Sequence, residues 1–173
     1  MGNKQERLQS RIGPEIAEFR QRQRTLQLAT VSANGMPHAS YSPYVFLPEG
    51  YYILVSDLAQ HGQNLKVCQH VSIMMIEDED KAKSIYARRR LSFDAQAIHV
   101  ERDSATWLKV LSAMEDRLGE MASNLSQLGD FHLYHLKPER GRFVKGFGKA
   151  FDITEEDMVD IVHLDKGHIT TTK

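Results

Sequence analysis

The stretch DFHLYHLKPERGRFVKGFGKAF, residues 130–151, decides how the rest of the chain is read. Apolar and polar residues alternate on both sides of Pro138 and Gly141, which predicts two extended segments with a turn over 137–141. In the second segment Phe143, Phe147 and Phe151 share a face with Lys145 and Lys149, whereas Val144, Gly146, Gly148 and Ala150 share the other. That other face carries almost no side-chain bulk. Glycine in a strand gives up packing and backbone entropy, so the bare face predicts a close neighbour: a backbone, a helix or a flat ligand.

Upstream, most of the texture is that of strands. Leu26, Leu28 and Thr30 alternate with Ala29 and Val31, Asn34-Gly35 is a strong hairpin signal, and the return strand is expected over 37–46. The continuous apolar run 51–55 predicts a strand buried on both faces, followed by a short helix over 64–69 and a strand over 71–76. The acidic run 77–80 reads as a solvated loop. Next, Leu91, Phe93, Ala95 and Ala97 face a core, and at Ile98 and Val100 the apolar phase shifts by one, as at a β-bulge or barrel corner.

Two helical stretches flank these strands. Leu8, Ile12, Ile16 and Phe19 define an amphipathic helix over 5–24, bent or restarted at Pro14. Trp107, Leu111, Met114, Leu118, Met121, Leu125 and Leu128 form one apolar seam within an insert over 103–128, a long helix or two helices broken at Gly119. The seam serves either the protein's own sheet or a second subunit. Beyond 151, Thr154 and Asp157 predict a capped helix over 155–162, and the tail HLDKGHITTTK is too polar to fold alone. Hairpins and short helices, rather than regular βαβ alternation, predict one α+β domain over 1–173 built on an antiparallel barrel, spanning 25–151, with flanking helices.

Composition narrows the function. The formal charge of -1 gives no reason to expect nucleic acid as a partner. A single cysteine, Cys68, excludes an internal disulfide and any multi-cysteine metal site. No apolar run approaches the ~18 residues of a membrane span, and the N-terminus is rich in Arg, Gln and Glu, so a cytoplasmic protein without membrane partners is expected. The consecutive Arg88, Arg89 and Arg90 are the sharpest basic cluster; period two sends Arg88 and Arg90 to one face, suited to a planar or tetrahedral anion. His61, before a helix start, stands where an anion could bind.

The blocks ATVSANGMPHASYSPYVF (29–46), AQHGQNLKVCQHVSIMMIEDE (59–79), RRRLSFDAQA (88–97) and FHLYHLKPERGRFVKGFGKAF (131–151) resemble, in this order, the pyridoxamine 5'-phosphate oxidase-like split-barrel family. The resemblance implies a six-stranded antiparallel split β-barrel and a homodimer with ligand sites at its interface, usually holding FMN. GDFHLYHLKPERGRFVKGFGKAF with the tail VHLDKGHI is similar to the family's haem-utilisation branch, where haem b replaces flavin and is opened oxidatively toward biliverdin with release of iron. That likeness implies His168 as iron ligand, with His163 as the fallback, and Asp130 as the carboxylate that bonds this histidine from the neighbouring subunit. It also implies Arg90 and His61 as pocket residues, beside the Arg88 that period two sends to the face of Arg90, with haem as both substrate and cofactor and an external electron donor; whether a haem-delivery protein is a further partner stays open. Ala95 stands where many flavin-binding relatives carry glycine. An FMN-dependent oxidoreductase and a non-catalytic haem carrier or storage protein remain the alternatives.

Overall fold

The computed structural model describes residues 4–154 and 159–160. The elements are α1 (Lys4–Arg22), β1 (Thr25–Val31), β2 (Pro37–Pro43), β3 (Val45–Leu47), β4 (Gly50–Ser56), α2 (Gln60–Val67), β5 (His70–Ile76), β6 (Arg90–Val100), α3 (Ala105–Leu118), α4 (Met121–Ser126), β7 (Phe131–Gly146), β8 (Lys149–Ile153) and β9 (Val159–Asp160). All strand pairs are antiparallel, in the order β2-β1-β5-β6-β7-β4-β3, and the sheet continues from β7 through β8 to β9. Six strands have seven residues or more, and β3, β8 and β9 are short additions to the six anticipated. No described helix is long and apolar enough to cross a membrane.

The strand β7 organises this sheet. Its first part, up to Leu136, pairs with β4, its last part from Gly141 pairs with β8, and β6 runs along its other edge. The turn expected over 137–141 is instead a bulge, because Phe93 faces Gly141 while Ala95 faces Pro138. Pro138 has no N–H for a ladder, so the residues that signal a turn are accommodated where one strand carries an extra residue. The reversal falls at Phe147 and Gly148, flanked by Gly146 at φ 155 and with Gly148 at φ 65. Among the described residues, a Cβ on either glycine would meet nothing within 4 Å, so the glycines serve the turn rather than a close approach there. The close approach is at Gly141, where a Cβ would lie 2.4 Å from Phe93 ring carbons.

Two apolar layers hold the sheet. Inside the barrel, Leu26, Leu28, Ile53, Phe93 and Phe143 pack with Tyr51 beneath Ile12, Ile16 and Phe19 of α1. The helix α1 continues through Pro14 without interruption. On the outer face Trp107, Val110 and Met114 of α3 cover Tyr52, Val100 and Leu133, so the seam serves the protein's own sheet. It breaks at Gly119 (φ 90), and at its far end Met121 and Leu128 are exposed. Ser104 caps α3 by accepting the Trp107 N–H at 3.2 Å. Arg117, near the end of α3, donates to the carbonyls of Gln21 (3.2 Å) and Gln23 at the end of α1.

Other boundaries moved. The helix expected over 64–69 begins four residues earlier, at Gln60. The β6 register runs unbroken from Ala95 to Val100; Ile98 is exposed and Val100 is buried beneath α3, so the change of phase marks a second core rather than a bulge. Glu77 is no solvated residue: its carboxylate holds Arg89 at 3.0 Å. The helix expected over 155–162 does not include Val159 and Asp160, which pair with β8, while Gln5 and Gln9 of α1 bond the Val159 backbone. The rest of that segment, with His163 and His168, lies outside the described residues.

Candidate functional site

The β4–β7 ladder sets Ser56 opposite Phe131 and so brings Ser56 beside Asp130, the residue before β7. The Ser56 hydroxyl donates to Asp130 Oδ2 at 2.5 Å, and the Asp57 N–H donates to the Asp130 carbonyl at 2.8 Å. The Leu58 N–H donates to Ser56 Oγ at 3.0 Å, which leaves the hydroxyl proton for Asp130. Among the described residues, Asp130 Oδ1 has no hydrogen bond.

Next to this pair lies a charged chain. Asp57 Oδ2 is 2.6 Å from Lys66 Nζ and 3.0 Å from His132 Nε2, and His132 Nδ1 is 3.2 Å from His99 Nε2. Burial pushes the Asp57 carboxyl up, but the hydrogen bond from Lys66 and the charge of His132 outweigh it and hold the group below its usual range. With Nε2 directed to Asp57, the other ring nitrogen of His132 is left to His99.

His61 stands in the first turn of α2 rather than before it, with Nδ1 2.9 Å from Ser40 Oγ. Burial, and then the charge of His38, depress its pKa, so the neutral imidazole is favoured. This turn rests directly on Ser56: a Cβ on Gly62 would lie 2.1 Å from the Ser56 carbonyl oxygen. Ser56 therefore touches both the Asp130 carboxylate and the turn that carries His61.

The three arginines separate. Arg89 is held by Glu77, and Arg88 donates through Nε to the Glu77 carbonyl at 2.7 Å, before β6 begins, so period two does not apply to it. Arg90 is the first residue of β6 and lines an open cavity of about 260 Å³ with Tyr86, Arg142, Val144, Gly146 and Lys149. Among the described residues its guanidinium makes one long contact, 3.5 Å to the Arg88 carbonyl. Arg142 is tied to Asp152 at 2.7 Å. Cations beside a lining that combines Gly146, Gly148 and Ala150 with the rings of Tyr86 and Phe147 fit a flat anion such as a porphyrin with propionates, or a flavin phosphate.

Arg90 pairs with Val144, at the far end of β7 from Asp130. The thirteen residue-to-residue steps from Phe131 to Val144 span roughly 40 Å of strand at ~3.3 Å each, less what the bulge and coiling take back. One protomer thus carries Asp130, Ser56 and His61 at one end and Arg90 at the other.

Sequence reasoning did not find Ser56, Asp57, Arg142 or the role of Glu77. Glu77 was within reach of it: once Ile76 is paired with Arg90, the next rung brings Glu77 to Arg89. Ser56 was not, because a serine ending an apolar strand has no distinguishing local pattern.

Comparison with known proteins places this geometry in a family. The family model described as pyridoxamine 5'-phosphate oxidase matches residues 12–145. Heme oxygenase HutZ of Vibrio cholerae is 57% identical over 165 residues, covering 95% of this chain and 94% of the relative. A crystal structure of HutZ from Vibrio cholerae, described as a heme storage protein, superposes with TM-score 0.75 at 54% identity over 79% of this chain and 95% of that one. Campylobacter jejuni ChuZ superposes with TM-score 0.85 at 34% identity over 94% of this chain and 67% of that one. On the matched family model and the shared split-barrel sheet, the chain belongs to the pyridoxamine 5'-phosphate oxidase-like family.

Proposed function

We propose that the protein binds haem and opens its porphyrin ring oxidatively, toward biliverdin with release of iron, as a homodimer fed by an external electron donor. The observation that carries this reading is the Asp130 carboxylate, with one oxygen held by Ser56 and the other open, in a chain 57% identical to a protein named heme oxygenase HutZ. Bound haem supplies the redox chemistry and is itself consumed. His168 gives the iron its imidazole; Asp130 accepts the other ring N–H, which fixes the ring and raises its basicity as a ligand. Arg90 pairs with a propionate, and the open face around Gly146 and Gly148 receives the flat macrocycle. Asp130 and Arg90 stand at opposite ends of β7, which supports a site completed by two protomers.

The test is a haemin titration of wild type and His168→Ala, followed by ascorbate in air with a ferrous-iron chelator present. The wild type is expected to bind haemin, lose its porphyrin absorption and release chelatable iron, and the variant to lose the iron-ligand signature. A second reading, haem storage, is favoured by the description of the related crystal structure and predicts tight binding with an absorption spectrum that survives ascorbate. The flavin alternative predicts protein that is yellow as isolated and indifferent to haemin. Ala95 does not help to choose between them, because its side chain points into the barrel core.

A further inference from the structure

We infer that Ser56 is a positioning residue: its hydroxyl holds Asp130 Oδ2 and leaves Oδ1 as the carboxylate's open acceptor, the oxygen that the haem reading gives to the imidazole N–H of the iron ligand. The inference rests on the haem reading above and adds the residue that aims the carboxylate. Both ends of the contact are fixed by backbone. The Leu58 N–H takes the Ser56 lone pair at 3.0 Å, the Asp57 N–H holds the Asp130 carbonyl at 2.8 Å, and the Ser56 carbonyl lies under Gly62, where no side chain fits. The hydroxyl proton is thus directed to one carboxylate oxygen at 2.5 Å, and the carboxylate plane is set by it.

Two effects of the hydroxyl oppose each other. It shares the carboxylate's charge, which weakens the bond to an imidazole, and it fixes direction, which strengthens it. Direction dominates, because a hydrogen bond weakens steeply once its angle falls below ~120°, whereas one neutral donor withdraws only part of the charge. Asp57 cannot replace Ser56 in this role, since its carboxylate is already engaged by Lys66 and His132.

The experiment compares wild type, Ser56→Ala, Ser56→Thr and Asp130→Ala in two readouts. In the haem-free protein, the carbon-13 carboxyl shift of Asp130 is expected to move in Ser56→Ala and to stay at the wild-type position in Ser56→Thr, which keeps the hydroxyl. In the ferrous haem complex, the iron–histidine stretching frequency of Ser56→Ala is expected to fall toward that of Asp130→Ala, with ring opening slowed about tenfold and restored in Ser56→Thr. A frequency in Ser56→Ala that is unchanged or higher than wild type overturns the inference, as does an unmoved carboxyl shift. If His168→Ala keeps the wild-type iron–histidine band, the haem reading falls and the imidazole half of the inference with it. The haem-free carboxyl shift distinguishes that failure from failure of the Ser56 contact itself.

Discussion

At Gly141 a single methyl group would enter space that the Phe93 ring already fills, with the Ser92 carbonyl oxygen 2.8 Å from the added carbon. Gly141→Ala is therefore expected to destabilise the protein by about 1–3 kcal/mol. The double variant with Phe93→Leu should recover part of that loss, as denaturant midpoints would show. His61 offers a second handle at this scale. Its folded pKa lies below the ordinary value of 6.5, so between the two values the unfolded chain binds more protons. The contribution of neutral His61 is complete above pH 6.5 and declines as pH falls through that window. Replacing His61 by Asn should flatten the fall of thermal midpoint between about pH 7 and 5. Single residues were also where sequence reading was weakest. Arg88, Arg89 and Arg90 look equivalent in a row of three, yet Glu77 claims two of them and only the strand start at Arg90 frees the third.

Among the elements, α3 shows how an apolar seam finds its surface. Trp107 is 3% exposed between α3 and the outer face of the sheet, where its ring also receives the Arg102 guanidinium at 4.6 Å. Trp107→Ala is expected to cost about 3–5 kcal/mol, read as a lower denaturant midpoint, while the barrel's inner core remains intact. The seam and the inward residues of β6 were legible because period defines them, and the hairpin at Asn34-Gly35 because both residues tolerate positive φ. The course of β7 was not. Pro138 and Gly141 have the composition of a turn, and only the pairing of Phe93 with Gly141 and Ala95 with Pro138 shows that the strand passes through them. Local chemistry tells a bulge from a reversal poorly, because both need a missing N–H or a missing side chain.

For the whole molecule, the separation of Asp130 from Arg90 along β7 makes the subunit arrangement testable. If His168 of one protomer meets Asp130 of the other, mixing unfolded His168→Ala and Asp130→Ala chains and refolding them yields heterodimers with one intact site. Ring opening is then expected to return to about a quarter of the wild-type rate, because half the dimers are mixed and each has one of two sites. No recovery would place both residues of a site in one chain. The barrel and its outer helix could be read from periodicity, whereas His168 stood out only through family likeness, since a histidine in a polar tail has no pattern of its own.

The length of β7 has a further consequence, for synthesis. Its partner β4 precedes it by 75 to 85 residues and β6 by roughly half that, so β7 closes the most distant contacts in the sheet. A chain emerging in order exposes the edges of β4 and β6 until residues 131–146 appear. Those edges carry buried-type residues such as Ile53 and Phe93, the template on which strands from different chains pair. Chains stopped before Asp130 are therefore expected to aggregate, and full-length folding should be slow and helped by holding chaperones, which pulse-labelled solubility during translation would reveal.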